Sequence, residues 1–228
     1  MAIRRQSSIH ILLGAALVLL LASCSEDSHR RGLTVVRAQS ETAVSIHRMG
    51  GDIDVKEAPQ GADLETMGGN IRLGQVESAA RLRTMGGNIT VEHAGGSVDA
   101  STMGGEIRLN NAYGPLKAST MGGNITARVF GTSNEQRDIE LSSKGGTIRL
   151  TVPKDFPMDI HVTLAFTRNS SQDFRIDEHL GLAQKVSSDW EDGFGTARKF
   201  IRASGRVGNG LNRVTIQTIN GDVIIRQE

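Results

Sequence analysis

An 18-residue repeat limits the folds open to this 228-residue chain more than any other sequence feature. Met-Gly-Gly triplets begin at Met49 and recur at residues 67, 85, 103 and 121, always with the same spacing. Lys144-Gly145-Gly146 follows after a longer interval, and Ile219-Asn220-Gly221 lies close to the C-terminal end. Constant spacing of this kind is typical of repeat proteins, in which each unit stacks on its neighbours and shares a core with them.

Paired glycines mark the repeat and account for twelve of the 27 glycines in the chain. We expect them to mark the turns between short segments and not to form a flexible linker. The predicted turn glycines are Gly50, Gly51, Gly68, Gly69, Gly86, Gly87, Gly104, Gly105, Gly122, Gly123, Gly145, Gly146 and, in the last copy, Gly221.

Short segments of alternating apolar and polar residues flank every glycine pair. Ile71-Arg72-Leu73 follows one pair, and Ala80-Arg81-Leu82-Arg83-Thr84 precedes the next. This alternation predicts half-buried strands, and two strands with two turns make one rung of a solenoid. The sequence therefore predicts an all-β fold: a parallel β-solenoid, or β-helix, with 18-residue rungs and a C-terminal capping segment.

Charged residues between the apolar positions follow an order that supports this interpretation. One column contains Asp63, Arg81, Asp99, Lys117 and Glu140, so the sign alternates from rung to rung. Stacked strands lie about 4.8 Å apart, and opposite charges on neighbouring strands stabilise their pairing. We expect these columns to hold the rungs in register.

Two further columns follow the repeat at and beside the glycines. Asparagine dominates the position after the glycines and predicts a ladder of amides that bond along the stack. The preceding methionines are interpreted as packing at the turn corners, and the alternative is a stacked thioether site for Cu(I), a soft metal. No metal or cofactor is expected. The ladder residues are Asp52, Asn70, Asn88, Glu106, Asn124 and Thr147, and the methionines are Met49, Met67, Met85, Met103 and Met121.

The N-terminal segment has the pattern of a bacterial lipoprotein signal. Arg4 and Arg5 precede a short apolar run, well below the roughly 20 residues that span a bilayer as a helix. The run ends in Leu21, Ala22 and Ser23, directly before Cys24, the single cysteine of the chain. This lipobox predicts cleavage before Cys24 and attachment of fatty acyl chains to it, with Ser25 favouring the outer membrane if the organism has one.

The same patterns divide the chain into four parts. We predict a signal peptide over residues 1–23, a lipidated tether over 24–33 and solenoid repeats over 34–152. Residues 153–228 supply further strands, an insertion and the closing repeat of the same domain. With 26 Lys and Arg against 25 Asp and Glu, the chain lacks the basic excess of a nucleic-acid-binding protein.

The repeats resemble those of a known family. Thr84-Met85-Gly86-Gly87-Asn88-Ile89-Thr90-Val91 and the closing segment 214–225 are similar to the β-strand repeats of the bacterial adhesin-domain family. The resemblance covers about residues 35–228, apart from a weak stretch near 167–200. It implies an exported β-solenoid and brings no catalytic residues with it.

The C-terminal part differs in composition, because six of the eight aromatic residues follow residue 150. We expect residues 168–195 to form a polar loop with a short helical piece over 178–185. The segment either caps the open end of the solenoid, where bare strand edges would aggregate, or forms a recognition surface. Its candidate recognition residues are Asp177, Glu178, His179 and Trp190.

These features together predict an exported lipoprotein that acts as a binding or structural module of the cell envelope. Its expected contacts are the membrane, through the lipid on Cys24, and a protein or polysaccharide of the envelope. The alternative is a carbohydrate-active β-helix enzyme whose site lies in residues 168–200. Glycosidases need two carboxyl groups about 5 to 10 Å apart, and the repeats provide no such pair, so no catalytic residue is predicted.

Overall fold

The computed structural model describes residues 34–37, 42–131, 136–168, 170, 173–191 and 196–228. The predicted signal peptide, its lipobox and Cys24 lie outside these residues. The described residues contain nineteen strands and no helix, hence none long and apolar enough to cross a membrane. The strands are β1 Thr34–Arg37, β2 Val44–Arg48, β3 Ile53–Ala58, β4 Ala62–Thr66, β5 Ile71–Val76, β6 Ala80–Thr84, β7 Ile89–Ala94, β8 Val98–Thr102, β9 Ile107–Ala112, β10 Leu116–Thr120, β11 Ile125–Val129, β12 Ile139–Ser143, β13 Ile148–Val152, β14 Met158–Thr167, β15 Ile176–Asp177, β16 Ala183–Val186, β17 Arg198–Val207, β18 Asn212–Ile219 and β19 Val223–Gln227.

The strands form two sheets, and each rung contributes one strand to each of them. Sheet 1 has the order β1-β3-β5-β7-β9-β11-β13-β19-β15, and sheet 2 has the order β16-β17-β14-β18-β12-β10-β8-β6-β4-β2. Every pairing within the repeats is parallel, as between β4 and β6. The predicted all-β parallel solenoid with a C-terminal cap is confirmed.

The rungs stack in the register that the repeat predicts. Ile71 pairs with Ile89, and Leu64 pairs with Leu82, so each residue meets its equivalent in the next repeat. The inward positions of the stacked rungs are buried, except for the partly buried Ile46 in the first rung, and form one continuous core made mainly of Ile, Leu, Val and Ala side chains. Because each rung encloses only a thin layer of core, its stability depends on the rungs above and below it.

The closing repeat does not stack in chain order. Strand β18 lies between β12 and β14, with Leu141 paired to Ile216 on one side and Val162 paired to Ile216 on the other. Strand β19 continues sheet 1 directly after β13. The last repeat therefore completes a seventh rung on the stack, and the segment that precedes it in the chain lies beyond it.

Beyond the seventh rung, the cap changes the direction of the strands. The ten-residue strands β14 and β17 pair antiparallel, and β16 pairs antiparallel with β17 at the edge of sheet 2. The short helical piece expected over residues 178–185 is wrong, because Ala183–Val186 is a strand. The Glu178 carboxylate accepts the backbone N–H groups of Leu180 (2.5 Å) and Leu182 (3.2 Å), which fixes a turn before that strand.

Candidate functional site

Threonine fills the inner side of the Met-Gly-Gly corners from the second repeat onward. The Thr102 hydroxyl donates to the Gly87 carbonyl of the preceding rung (2.8 Å) and accepts the N–H of Gly105 in its own rung (3.2 Å). Thr84 and Thr120 make the equivalent two bonds in their own rungs, and Ser143 makes them in the rung after Thr120. Each hydroxyl is buried, so these columns pair backbone groups that would otherwise be buried without a partner. We did not predict this role from the sequence, although a hydroxyl residue precedes every triplet from residue 66 to residue 143.

The two glycines of each pair have different surroundings. A Cβ at Gly87 would lie 2.8 Å from Asn70 N and closer still to the Gly69 carbonyl oxygen, whereas a Cβ at Gly86 would meet nothing within 4 Å. Among the pairs, all of which lie in the described ranges, only Gly51 has a positive φ, at 87°. The glycines lie at bends between strands, and most of them do so without a positive φ. The second glycine is required because the rungs approach closely at this corner.

A ladder of side-chain oxygens runs beside the glycines, as the asparagine column predicts. The N–H of Asn88 donates to Asn70 Oδ1 (2.9 Å), and the N–H of Glu106 donates to Asn88 Oδ1 (2.7 Å). At the start of the ladder, Asp52 Oδ1 accepts the N–H of Asn70 (2.7 Å). At its other end, Asn124 Oδ1 accepts the N–H of Thr147 (2.8 Å). These acceptors serve the backbone of the next rung, so the column holds adjacent turns together.

Methionine side chains lie on the outer side of the same corner. Met67, Met85, Met103 and Met121 are 43–48% exposed, and Met49 in the first rung is 83% exposed. The threonine column occupies the inner side of the corner, so these four side chains are about half covered on its outer side. The result is a column of partly exposed methionine side chains, one in each of the first five rungs.

The charge columns of sheet 2 have the predicted register. Asp63 pairs with Arg81, Arg81 with Asp99, and Lys117 with both Asp99 and Glu140. Lys117 Nζ lies 3.0 Å from Glu140 Oε2, and this hydrogen bond raises the pKa of Lys117 above its ordinary value. Both side chains are more than half exposed. Because exposed ion pairs contribute little to the free energy of unfolding, this pair mainly favours the observed alignment of the neighbouring strands.

A groove follows the N-terminal ends of the strands of sheet 2. Its volume is about 1000 Å³, and it extends from β2 through β4, β6, β8, β10 and β12 to β18. The alternating charges of Asp63, Arg81, Asp99, Lys117 and Glu140 line the groove. Apolar residues at the starts of the strands also line it: Val44, Ala62, Ala80, Val98, Leu116 and Ile139. We call this feature the sheet 2 groove.

Of the two acidic residues of the predicted recognition loop, one has its partner in the closing repeat and the other in its own turn. Asp177 Oδ2 accepts from Arg226 Nη2 (2.6 Å), and this bond lowers the pKa of the carboxyl group below its ordinary value. Glu178 accepts the two backbone N–H groups of its own turn. Both carboxylates therefore stabilise the local structure of the cap.

The other two candidates in this loop differ in their surroundings. Trp190 packs edge-on against Phe166, with ring centroids 5.9 Å apart. Arg168 and Lys199 lie over the indole at 5.1 and 5.3 Å from its centroid. His179 is exposed. Within the described ranges, no group of three or more His, Cys, Asp or Glu could hold a metal ion.

An aromatic column that was not predicted from the sequence lies at the other corner of the rung. The rings of His93 and Tyr113 are 5.1 Å apart, and those of Tyr113 and Phe130 are 5.9 Å apart. The sequence separations of these residues differ from each other and from the length of the repeat, so the repeat gave no sign that they would stack.

Comparison with protein-family models, with curated proteins and with solved structures finds no match for this chain. The resemblance to the adhesin-domain family stays a prediction from the repeat sequence. The candidate site is therefore defined by geometry alone, as the sheet 2 groove and the methionine column.

Proposed function

We propose that this chain is an exported lipoprotein of the bacterial cell envelope, whose solenoid acts as a binding or structural module. The lipid on Cys24 anchors it to the outer membrane where the cell has one. Several acyl chains on one cysteine give stable anchoring, because each buried CH₂ contributes about 0.8 kcal/mol. The basis for the anchor is the lipobox Leu21-Ala22-Ser23-Cys24 and the apolar run before it.

The sheet 2 groove is the observation that carries the binding function. It crosses seven strands, so with strands about 4.8 Å apart it is about 29 Å long. Such a length suits an elongated partner, a polysaccharide or an extended protein segment, better than a small molecule. Alternating charges along the groove favour a partner that carries groups of both signs or many hydroxyl groups.

The anchor is tested by Cys24→Ala. The full chain is expressed in a bacterial host and partitioned between detergent and aqueous phases. The parent chain is expected in the detergent phase and the variant in the aqueous phase. Retention of the variant in the detergent phase would contradict the lipid anchor and would leave the groove hypothesis intact.

The groove is tested by neutralising its cations without changing the core. The double variant Arg81→Gln and Lys117→Gln removes two exposed charges, and Arg72→Gln with Arg108→Gln is a matched control on sheet 1. Each chain is immobilised and incubated with envelope extract and with purified envelope polysaccharide. We expect the groove variant to lose a partner that the parent and the control retain.

Two outcomes would overturn this assignment of the groove. Equal retention by all chains would show that the groove is not the binding surface. Loss of the partner only after removal of residues 168–200 would show that the cap, and not the groove, binds the partner. Shortening of the polysaccharide by the parent chain would instead favour the carbohydrate-active enzyme.

A further inference from the structure

The fold does not explain why methionine occupies the outer corner. Lys144 takes the equivalent position in the sixth rung and Ile219 in the seventh, so both a cation and a branched apolar side chain fit there. A Cβ at the adjacent Gly68 or Gly86 would meet nothing within 4 Å, so this side of the corner is open to solvent. Exposed apolar side chains in a continuous column are uncommon on a protein that does not use them.

The methionines stack directly on one another. The N–H of Met103 donates to the Met85 carbonyl (3.2 Å), and the N–H of Met121 donates to the Met103 carbonyl (3.2 Å). The hydrogen-bonded ladder therefore continues through these residues, and their backbones have the strand spacing of about 4.8 Å. Methionine has three rotatable bonds between its backbone and its terminal methyl group. Thioether sulfurs from three adjacent rungs can therefore turn towards one ion.

The chemistry that distinguishes methionine from leucine, isoleucine and lysine at this position is its soft sulfur. Thioethers select Cu(I) over hard cations such as Mg²⁺ and Ca²⁺. The outward residue two positions before Met103 is Ser101, and the one before Met121 is Ser119, so this part of the column has uncharged neighbours. The equivalent residues before Met85 and Met67 are Arg83 and Glu65, so the uncharged part of the column lies at Met103 and Met121.

We propose that the column Met67, Met85, Met103 and Met121 binds one Cu(I) ion. Three of these four thioethers, from adjacent rungs, hold the ion at a time. The ion binds without a change in its oxidation state, and no bond in the protein is broken. The site is independent of the lipid anchor and of the sheet 2 groove, which opens along the other ends of the same strands.

The test uses the full chain in detergent micelles with Ag(I), which has the same charge and soft character as Cu(I) and needs no reductant. Titration is followed by NMR of the methionine ε-methyl groups. We expect saturation at one ion per chain, with shifts at the four column residues. Met158 is fully buried, so its methyl signal is the internal reference and should not move.

A matched pair of variants separates ligation from apolar packing. Met85→Leu with Met103→Leu keeps the bulk of the column but leaves Met67 and Met121 three rungs apart, about 14 Å at the strand spacing. We expect this variant to bind Ag(I) at least about tenfold more weakly, which corresponds to about 1.4 kcal/mol. Met49→Leu is the control, because it leaves the four column residues in place and should keep the parent affinity.

Three results of the Ag(I) titration would overturn the proposal. The first is no methyl shift at one equivalent of Ag(I), and the second is equal affinity of the double leucine variant and the parent. The third is loss of affinity in Met49→Leu as large as in the double variant. A repeat of the titration with Cu(I) under ascorbate should give the same order of affinities, and a reversed order would also contradict the site.

Discussion

The closest approach between rungs occurs at the second glycine of each pair, and Gly87→Ala tests it. The new Cβ would lie 2.8 Å from Asn70 N and closer to the Gly69 carbonyl, so the two rungs must separate locally. Both groups belong to the backbone of a stacked rung and cannot move aside as a flexible side chain would. We therefore expect a large loss of stability from a single methyl group.

The expected magnitude follows from the contacts around Gly87. Overpacking costs about 1–3 kcal/mol. Separation of these two rungs also weakens the bond from Thr84 Oγ1 to the Gly69 carbonyl (2.8 Å) and the bond from Asn88 N to Asn70 Oδ1 (2.9 Å). At about 1 kcal/mol for each lost hydrogen bond, the total is about 3–5 kcal/mol.

Gly86→Ala is the matched control, one residue away. Its Cβ would meet nothing within 4 Å, and Gly86 does not have a positive φ. Alanine there should be neutral or should stabilise the protein by about 0.4–1 kcal/mol, because it restricts the unfolded chain.

Urea unfolding followed by circular dichroism measures both variants. With a denaturant dependence of about 2 kcal/mol per molar urea, Gly87→Ala should lower the midpoint by about 1.5 M or more. Gly86→Ala should leave the midpoint unchanged or slightly raised. Equal midpoints for the two variants would refute the close stacking of rungs at this corner.

Two further substitutions test the corner and the cap. Thr102→Val keeps the shape of the side chain but leaves the Gly87 carbonyl and the Gly105 N–H unpaired, so unfolding should be easier by about 2 kcal/mol. Thr90→Val on the outer face of β7 is the control, and an equal effect of both would contradict the threonine column. Asp177→Asn removes the bond to Arg226 that lowers the pKa of Asp177. The parent should therefore be more stable than this variant above the ordinary pKa of 3.8, and the difference should disappear as the pH falls below it. Thermal unfolding of both chains from neutral to acidic pH measures the difference, and a constant gap would contradict the ion pair.

Much of the fold could be predicted because the constant spacing of the repeat determines which residues pair on neighbouring strands. Ile71 and Ile89 occupy equivalent positions in successive repeats and are stacked neighbours, and the same spacing places Arg81 between Asp63 and Asp99. A shift of one residue would turn every inward side chain outward. Periodicity in the sequence therefore fixes both the strands and their partners.

The position of the closing repeat could not be predicted in the same way. Leu141 and its partner Ile216 are far apart in the sequence, and the intervening segment has no constant spacing. The position of β18 between β12 and β14 depends on which strand edges are free to pair in the folded stack, and the spacing of the repeat does not give this.

The surroundings of the corner residues also depend on the three-dimensional stack. Thr102 and Met103 are adjacent in the sequence, yet one is buried and the other is 48% exposed. The alternation of the strand predicts the inward position of Thr102 but not the bonds that its hydroxyl makes to the neighbouring rung. It also ends at the corner, so the exposed fraction of the methionines could not be predicted from it.

The central structural claim is that parallel rungs stack in register, with the closing repeat between β12 and the cap. Oxidation of paired cysteines tests it most directly. Ser142→Cys with Gln217→Cys places two outward thiols on paired strands, within the Cα separation that a disulfide spans. Ser142→Cys with Thr163→Cys places them two strands apart, because Gln217 lies between Ser142 and Thr163. We predict that peptide mass analysis finds the disulfide in the first pair and not in the second. A disulfide in the second pair and none in the first would contradict this order of strands.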